Sequence, residues 1–238
     1  MRKLLAIWLG KILTIVGKTV GKKSSSSPGA YALKICPDLV KGLEKCVSKG
    51  IIVTCGTNGK TTTNNLMASA LEAKGYKVIC NKLGANMLSG IATTVLQEMS
   101  IFGKLKADYA CLEIDEAYTP IVFDYVKPDV MVITNLFRDQ LDRYGEIDIT
   151  SDIIKRAIKK VPNLKLVLNG DDPLCVQFGR EENVKAYYYG ISEKVLPQLD
   201  DTKEGRFCPV CGEEQKYNYY HSCQPRRRPV PVVRFQAT

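Results

Sequence analysis

Residues 53–63 read VTCGTNGKTTT, and they join a short β-branched run, residues 51–54, to a segment with helical spacing. The stretch is close to the phosphate-loop pattern G-x-x-x-x-G-K-[ST]. Thr54 stands where that pattern has its first glycine. We still expect a phosphate loop, because strand, loop and helix follow in the order that the motif requires.

The residue types in this stretch suit a bound nucleotide. Gly56 and Gly59 allow unusual backbone dihedrals and a close approach to phosphate. Amide groups at the helix start would point at the anion, Lys60 would neutralise the β- and γ-phosphates, and the Thr61 hydroxyl would bind Mg²⁺. The predicted nucleotide contacts are Gly56, Thr57, Asn58, Gly59, Lys60, Thr61 and Thr62.

Two later strand ends carry polar residues that could complete this site. Glu113 closes the predicted strand 108–114 and is the candidate second magnesium ligand, although a solvated acidic loop would also explain it. After the strand 129–134 come Asn135, Asp139 and Asp142, which a capping turn would explain as well.

Strand and helix patterns alternate along most of the chain. Strands are predicted at 51–54, 76–80, 108–114, 129–134 and 164–169, and helices at 60–75, 89–102 and 150–161. This βαβ alternation predicts an α/β fold, a phosphate-loop parallel sheet covered by helices. The expected division is an N-terminal segment and linker (1–30), an ATP-binding domain (31–205), and a partial zinc ribbon with a disordered basic tail (206–238).

The N-terminal segment is basic and apolar. Residues 4–17 are too short to span a bilayer, and no clean signal-peptide cleavage site follows them. Two interpretations of this segment are open. It forms an amphipathic helix that lies on a membrane or a partner, or it forms a helix that packs on its own domain. The net charge of +9 favours acidic partners, but no basic block is interleaved with aromatic residues, so nucleic acid is not expected.

Four motifs taken together resemble the central domain of the Mur ligases: GTNGKTTT, LEIDEA, TNLFRDQLDRYGE and LNGDDPL. That family and its folylpolyglutamate synthase relatives lack the first glycine of the loop, so Thr54 agrees with the resemblance. The resemblance implies ATP and Mg²⁺ as cofactors, with Lys60 and Glu113 as catalytic residues and Asn135, Asp139 and Asp142 in the second half of the site. It implies that a carboxylate is phosphorylated and the acyl phosphate is then attacked by an amine.

Within the family, the lead-in PGAYALKICPDLV, Gln140 and CPVCGEE resemble the ligase subunits of lipid II isoglutaminyl synthase. The resemblance implies amidation of the D-glutamate α-carboxyl of lipid II with ammonia from a GatD-like glutaminase, the two subunits forming a heterodimer. Most cysteines stand singly in apolar runs and no secretory signal is convincing, so a reducing cytoplasm is expected. The lipid substrate that the resemblance implies suits an N-terminal helix at the inner face of the membrane. The alternatives are another amide ligase of this superfamily and a non-catalytic nucleotide-binding fragment.

The C-terminal region contains half of a zinc-binding pattern. Cys208 and Cys211 have the spacing C-x-x-C, typical of one side of a zinc ribbon. His221 and Cys223 are candidates for the remaining ligands. The alternative is that the chain departs from the family pattern near residue 220, as a truncated or out-of-frame end, which would leave catalysis by this chain incomplete.

Overall fold

A parallel sheet of six strands forms the centre of the computed structural model. The structure describes residues 2–19, 26–82, 84–136, 146–181, 184–191, 213, 220–222 and 229–231. The strands are β1 (Val47–Cys55), β2 (Val78–Cys80), β3 (Ala107–Glu113), β4 (Val130–Ile133), β5 (Lys165–Asn169) and β6 (Lys185–Tyr189). Their order is β2-β3-β1-β4-β5-β6, and every neighbouring pair is parallel. The predicted α/β architecture is confirmed.

Helices cover this sheet. They are α1 (Arg2–Thr19), α2 (Ser27–Ile35), α3 (Lys60–Ala73), α4 (Leu88–Glu98), α5 (Thr119–Tyr125), α6 (Glu146–Lys159) and α7 (Pro173–Val176). The core is made of buried aliphatic side chains from β1, β3, β4 and β5 together with the inner faces of the helices. Long runs of buried residues, such as Ala110–Glu113 in β3, are expected for strands covered on both faces.

The position of β1 determines where a ligand can bind. β1 lies between β3 and β4, with Thr54 opposite Glu113 on one side and Cys55 opposite Ile133 on the other. The strand order therefore reverses at β1, and in parallel sheets ligands bind beyond the carboxyl ends of the strands at such a point. The ends of β1, β3 and β4 place the loop 56–59, Glu113 and residues 134–135 at one edge.

The predicted strands and helices are all present, with some changes at their ends. The helix predicted at 89–102 stops at Glu98, because Ser100 and Lys104 close a turn through Ser100 N–H to Lys104 O (2.8 Å). Helices α2, α5 and α7 and strand β6 were not predicted. Pro120 in the first turn of α5 is compatible with a helix, because its missing N–H would have had no partner there.

A helix begins inside the predicted N-terminal segment and linker (1–30). Ser27, Pro28 and Gly29 already belong to α2. Gly29 packs so closely on α4 that an added Cβ would lie 2.0 Å from Ser89 O, and its N–H donates to Thr93 Oγ1 (2.9 Å). The composition indicated a linker, but close helix packing uses the same small residues.

Among the described residues of the C-terminal region, two short strands are present where the sequence predicted disorder. Strand β7 (Tyr220–Ser222) pairs antiparallel with β8 (Pro229–Pro231). The sequence PVP favours extended backbone, since proline fixes φ and biases the residue before it away from the helical region. Cys208, Cys211 and Cys223 lie outside the described residues, and of His221 only the backbone is described.

Candidate nucleotide site

The loop between β1 and α3 requires glycine at two positions. Gly56 has a φ of +127° and Gly59 a φ of +76°, both unfavourable for other residues. At Gly56 space is also lacking, because an added Cβ would lie 2.3 Å from Thr134 Oγ1 and 2.8 Å from Asn135 O. At Gly59 nothing lies within 4 Å of an added Cβ. Packing and conformation therefore both require glycine at position 56, whereas conformation alone requires it at position 59.

Residues 134–135, just after β4, hold the loop in shape. Thr57 N–H donates to Asn135 O (2.8 Å), and Asn58 N–H donates to Asn135 Oδ1 (2.9 Å). The Asn135 amide and the Thr134 hydroxyl both donate to Asn58 O, at 3.0 and 2.7 Å. The structure thus places Asn135 against the phosphate loop, where it fixes the loop backbone.

The start of α3 presents free donors beyond the loop. The first backbone hydrogen bond of the helix is Thr63 N–H to Gly59 O (2.9 Å). The N–H groups of Lys60, Thr61 and Thr62 precede it and have no acceptor inside the helix. With the positive end of the helix dipole, they form a site suited to a phosphate group.

Lys60 is held over the loop by Glu116, a residue of the acidic run after β3 for which the sequence predicted no role. Its ammonium donates to Gly56 O (2.6 Å), Thr57 O (3.2 Å) and Glu116 Oε1 (3.2 Å), and both charged side chains are largely buried. The same Glu116 oxygen accepts the Gly56 N–H (2.8 Å). Glu116 therefore accepts hydrogen bonds from the Gly56 N–H and the Lys60 ammonium. The acidic run that contains Glu116 was visible, but its contact with Lys60 was not.

The magnesium ligands predicted from the sequence converge at one point. An added Cβ at Gly84 would lie 3.4 Å from Thr61 Oγ1, 3.8 Å from Glu113 Oε2 and 3.9 Å from Glu113 Oε1. Glu113 is 2% exposed, and its Oε2 has no hydrogen-bond partner within the described part of the chain. A buried carboxylate oxygen without a partner is costly unless a cation satisfies it. A hydroxyl and a carboxylate around this gap fit Mg²⁺, which prefers oxygen ligands.

A buried asparagine pair orients Glu113 from behind. Asn81 accepts the Glu113 N–H (2.8 Å) and donates to Glu113 O (2.8 Å) and Ala85 O (3.0 Å). Asn64, in α3, reaches Asn81 Oδ1 (3.4 Å) and Cys111 O (3.3 Å). These residues tie the helix that carries Thr61 to the strand that carries Glu113. Neither asparagine was predicted, because single polar residues beside apolar runs give no signal in the sequence.

A buried thiol lies at the end of β1, directly under the loop. Burial raises the pKa of Cys55 well above its ordinary value; Glu116 raises it further, and Lys60 lowers it. The thiol therefore stays protonated at neutral pH and acts as a packing residue.

The remaining predicted site residues cannot be placed. Asp139 and Asp142 lie outside the described residues, as do Cys208, Cys211 and Cys223. Within the described ranges no cluster of three or more His, Cys, Asp or Glu side chains could hold a metal ion. The magnesium prediction thus depends on one carboxylate and one hydroxyl, and zinc binding stays a prediction.

The sequence comparisons with known proteins agree on one family. The sequence model of the Mur ligase middle domain matches residues 53–218. The MurT subunit of lipid II isoglutaminyl synthase (glutamine-hydrolyzing) from Staphylococcus aureus is 37% identical over 221 residues, 93% of this chain and 49% of that protein. The MurT subunit from Streptococcus pneumoniae is 39% identical over 197 residues, 83% of this chain and 43% of that protein. The chain spans about half the length of the curated relatives it matches.

Solved structures show the same fold. A pseudomurein peptide ligase type C from Methanothermus fervidus superposes with a TM-score of 0.55 at 26% sequence identity. The match covers 79% of this chain and 37% of that ligase.

Proposed function

This chain belongs to the Mur ligase family, and on that premise we propose that its phosphate loop binds Mg·ATP for the formation of an amide bond. The first-turn amides of α3 and the Lys60 ammonium would hold the phosphates. Thr61 and Glu113 would hold the magnesium ion, which supplies charge neutralisation of the phosphates when bound.

One observation supports this proposal above the others. The Thr61 hydroxyl and the buried Glu113 carboxylate both lie within 4 Å of the position that an added Cβ would take at Gly84, and Glu113 Oε2 has no hydrogen-bond partner among the described residues. Thr61 lies in α3, which follows β1 and the loop, and Glu113 ends β3; the pairing of β1 with β3 sets Thr54 opposite Glu113. A structural role would have given the Glu113 carboxylate a hydrogen-bond donor or left it in solvent.

The proposed reaction has two steps. A substrate carboxylate oxygen attacks the γ-phosphorus of ATP, the bond to the β-phosphate oxygen breaks, and ADP leaves. The nitrogen of ammonia then attacks the carbonyl carbon of the acyl phosphate, a proton is lost, and inorganic phosphate leaves with the C–O bond electrons. In this scheme the Lys60 ammonium stabilises negative charge on the transferred phosphoryl group.

The substrate and partner are proposed from the relatives. MurT is named as a subunit of lipid II isoglutaminyl synthase, a glutamine-hydrolysing enzyme. We propose that the carboxylate is the D-glutamate α-carboxyl of lipid II and that the product is D-isoglutamine. A GatD-like glutaminase, bound as a heterodimer, would deliver the ammonia, and the complex would act at the cytoplasmic face of the membrane. A bound donor suits ammonia, which solvent would otherwise dilute.

A zinc ion is proposed as a structural cofactor, on sequence spacing alone. Cys208 and Cys211 would supply two thiolates. Metal analysis of the purified protein and of a Cys208→Ser variant measures this; an equal zinc content in the two would contradict it.

The nucleotide assignment can be tested by calorimetry with Mg·ATP. Lys60→Ala removes a charge-assisted contact to phosphate, so we expect Kd to rise at least about tenfold. Lys41→Ala is the matched control, because Lys41 is an exposed lysine that precedes the amino end of β1, at the opposite edge of the sheet. Equal affinities for the Lys60→Ala variant and the unmodified protein would refute the assignment.

The acceptor can be tested separately by measuring ATP hydrolysis. Ammonium and single amino acids are offered in turn, together with lipid II and the glutaminase. Hydrolysis that depends on ammonium supports amidation. Dependence on an amino acid would instead favour an amino-acid-adding ligase of the same family, with the nucleotide site unchanged.

A further inference from the structure

Helix α1 is apolar on two sides, and the protein covers one of them. Ala6 and Ile7 are fully buried against the domain. Gly10 faces α4 so closely that an added Cβ would lie 2.6 Å from Leu96 Cδ1. This face accounts for the packing of α1 on its own domain, one of the two arrangements that the sequence left open.

The other side of α1 is apolar and exposed to solvent. Its large side chains recur at intervals of three or four residues and lie on one face of the helix: Leu5, Trp8, Ile12, Ile15 and Val16. Ile12 is 57% exposed and Trp8 48%. A contiguous apolar face of this kind on a domain surface marks an interaction site.

A fixed turn extends this face. The turn 100–104 is closed by Gly103 N–H to Ser100 O (2.9 Å) and Lys104 N–H to Ser100 Oγ (3.0 Å). It is attached to α1 by Trp8, whose indole N–H donates to Ile101 O (2.9 Å). Ile101 and Phe102 therefore stand beside Trp8, and Phe102 is 72% exposed. We call Leu5, Trp8, Ile12, Ile15, Val16, Ile101 and Phe102 the Trp8 surface.

The charged side chains of the N-terminal region, which supplies most of the Trp8 surface, are all positive. The first 37 residues contain seven lysines and arginines and no aspartate or glutamate. Arg2 and Lys3 are exposed at the start of α1, and Lys104 and Lys106 are exposed at and just after the turn. Basic side chains around an apolar patch complement a negatively charged surface.

We propose that the Trp8 surface docks on an anionic lipid bilayer. Trp8, Phe102 and the aliphatic side chains enter the boundary between headgroups and acyl chains, and the basic residues bind anionic headgroups. No described helix is long and apolar enough to cross a membrane. An anionic membrane accounts for both the exposed apolar face and the exposed basic side chains Arg2, Lys3, Lys104 and Lys106.

This proposal goes beyond the nucleotide site and does not require it. The Trp8 surface uses α1 and the turn after α4, and the candidate site uses β1, α3 and β3. Membrane docking and Mg·ATP binding can therefore succeed or fail separately. If both hold, the docked face limits the orientations in which a lipid-linked substrate reaches the loop.

Trp8 is the only tryptophan of the chain, so its fluorescence reports on this surface without labels. The experiment titrates the protein with vesicles of phosphatidylcholine alone and with vesicles that also contain phosphatidylglycerol. We expect a blue shift with the anionic vesicles, quenching by lipids brominated on their acyl chains, and co-sedimentation that weakens as salt is added. No blue shift and no co-sedimentation would overturn the proposal.

Two variants identify the surface. Ile12→Gln and Phe102→Gln replace exposed side chains, and we expect each to lower partitioning on the order of tenfold. Ile149→Gln is the matched control, since Ile149 is 60% exposed on α6, outside this surface. Membrane binding that Ile12→Gln and Phe102→Gln leave unchanged would overturn the assignment.

A competing occupant would give a different result. If the Trp8 surface binds a second copy of this chain, the blue shift appears on raising the protein concentration without lipid, and sedimentation shows a dimer. That outcome overturns the membrane proposal. Far-UV circular dichroism and urea unfolding, measured on the same samples, show that the variants are folded.

Discussion

Replacing Gly56 with alanine tests the geometry of the phosphate loop. The new Cβ would lie 2.3 Å from Thr134 Oγ1, 2.8 Å from Asn135 O and 3.0 Å from Asn135 N. Two of these atoms belong to the backbone and cannot rotate away. The substitution must therefore displace residues 134–135, whose hydrogen bonds shape the loop.

The cost can be estimated from its parts. A φ of +127° at a residue with a side chain costs about 1–3 kcal/mol. Displacing Thr134 breaks its hydrogen bond to Asn58 O, and displacing Asn135 breaks its bond from Thr57 N–H, each worth about 1 kcal/mol. We expect Gly56→Ala to lower the free energy of unfolding by about 3–5 kcal/mol.

Two other glycines separate conformation from crowding. Gly59 and Gly75 have φ values of +76° and +84°, and nothing lies within 4 Å of an added Cβ at either. Alanine at each should cost only about 1–2 kcal/mol. Urea unfolding followed by far-UV circular dichroism gives the three values, provided that the m-values agree.

The result that would refute this reasoning is a Gly56→Ala variant no less stable than Gly75→Ala. Crowding by residues 134–135 would then not be what requires glycine at position 56. Mg·ATP affinity provides a second readout, because a displaced loop should bind the nucleotide more weakly even where the protein remains folded.

Three further predictions concern the residues around the loop. Glu116→Gln removes a negative charge that competes with phosphate for Lys60, so the Kd for Mg·ATP should fall about three- to tenfold by calorimetry; a higher Kd would mean that Glu116 supports binding. Asn81→Leu leaves the buried N–H and C=O of Glu113 without their side-chain partners, so chemical denaturation should show a loss of about 2–4 kcal/mol, whereas an unchanged stability would contradict the role given to Asn81. Burial raises the pKa of Cys80 to about 11, so its alkylation by iodoacetamide should rise about tenfold per pH unit between about pH 8 and pH 10; a plateau in this range, by peptide mass spectrometry, would contradict the raised pKa.

The sequence predicted the sheet because the relevant information is local. Runs such as 129–134 combine β-branched residues with apolar neighbours, and they alternate with segments of helical spacing. Strand β6 gave a weaker signal, because four of its five residues are exposed and no apolar alternation marks it. The strand order could not be derived, because local patterns do not state which strands pair.

The candidate site divides in the same way. Lys60, Thr61 and Glu113 were predicted from their position at a loop or strand end, where residue type alone indicates phosphate or magnesium chemistry. No role was predicted for Glu116 or Asn81, because their contacts are with partners far away in the chain. Lys60 and Glu116 are 56 residues apart, and Asn81 and Glu113 are 32 apart.

The N-terminal helix shows most clearly what the tertiary structure decided. The sequence by itself determined that α1 is basic and apolar and too short to span a bilayer. It could not determine which apolar residues the domain would cover, because apolar residues recur at helical spacing on both sides of the helix. In the folded domain α1 packs against α2 and α4; Ala6 and Ile7 are buried, whereas Trp8 and Ile12 face outward. Burial depends on surfaces brought together from distant parts of the chain, so only the folded structure separates core from surface here.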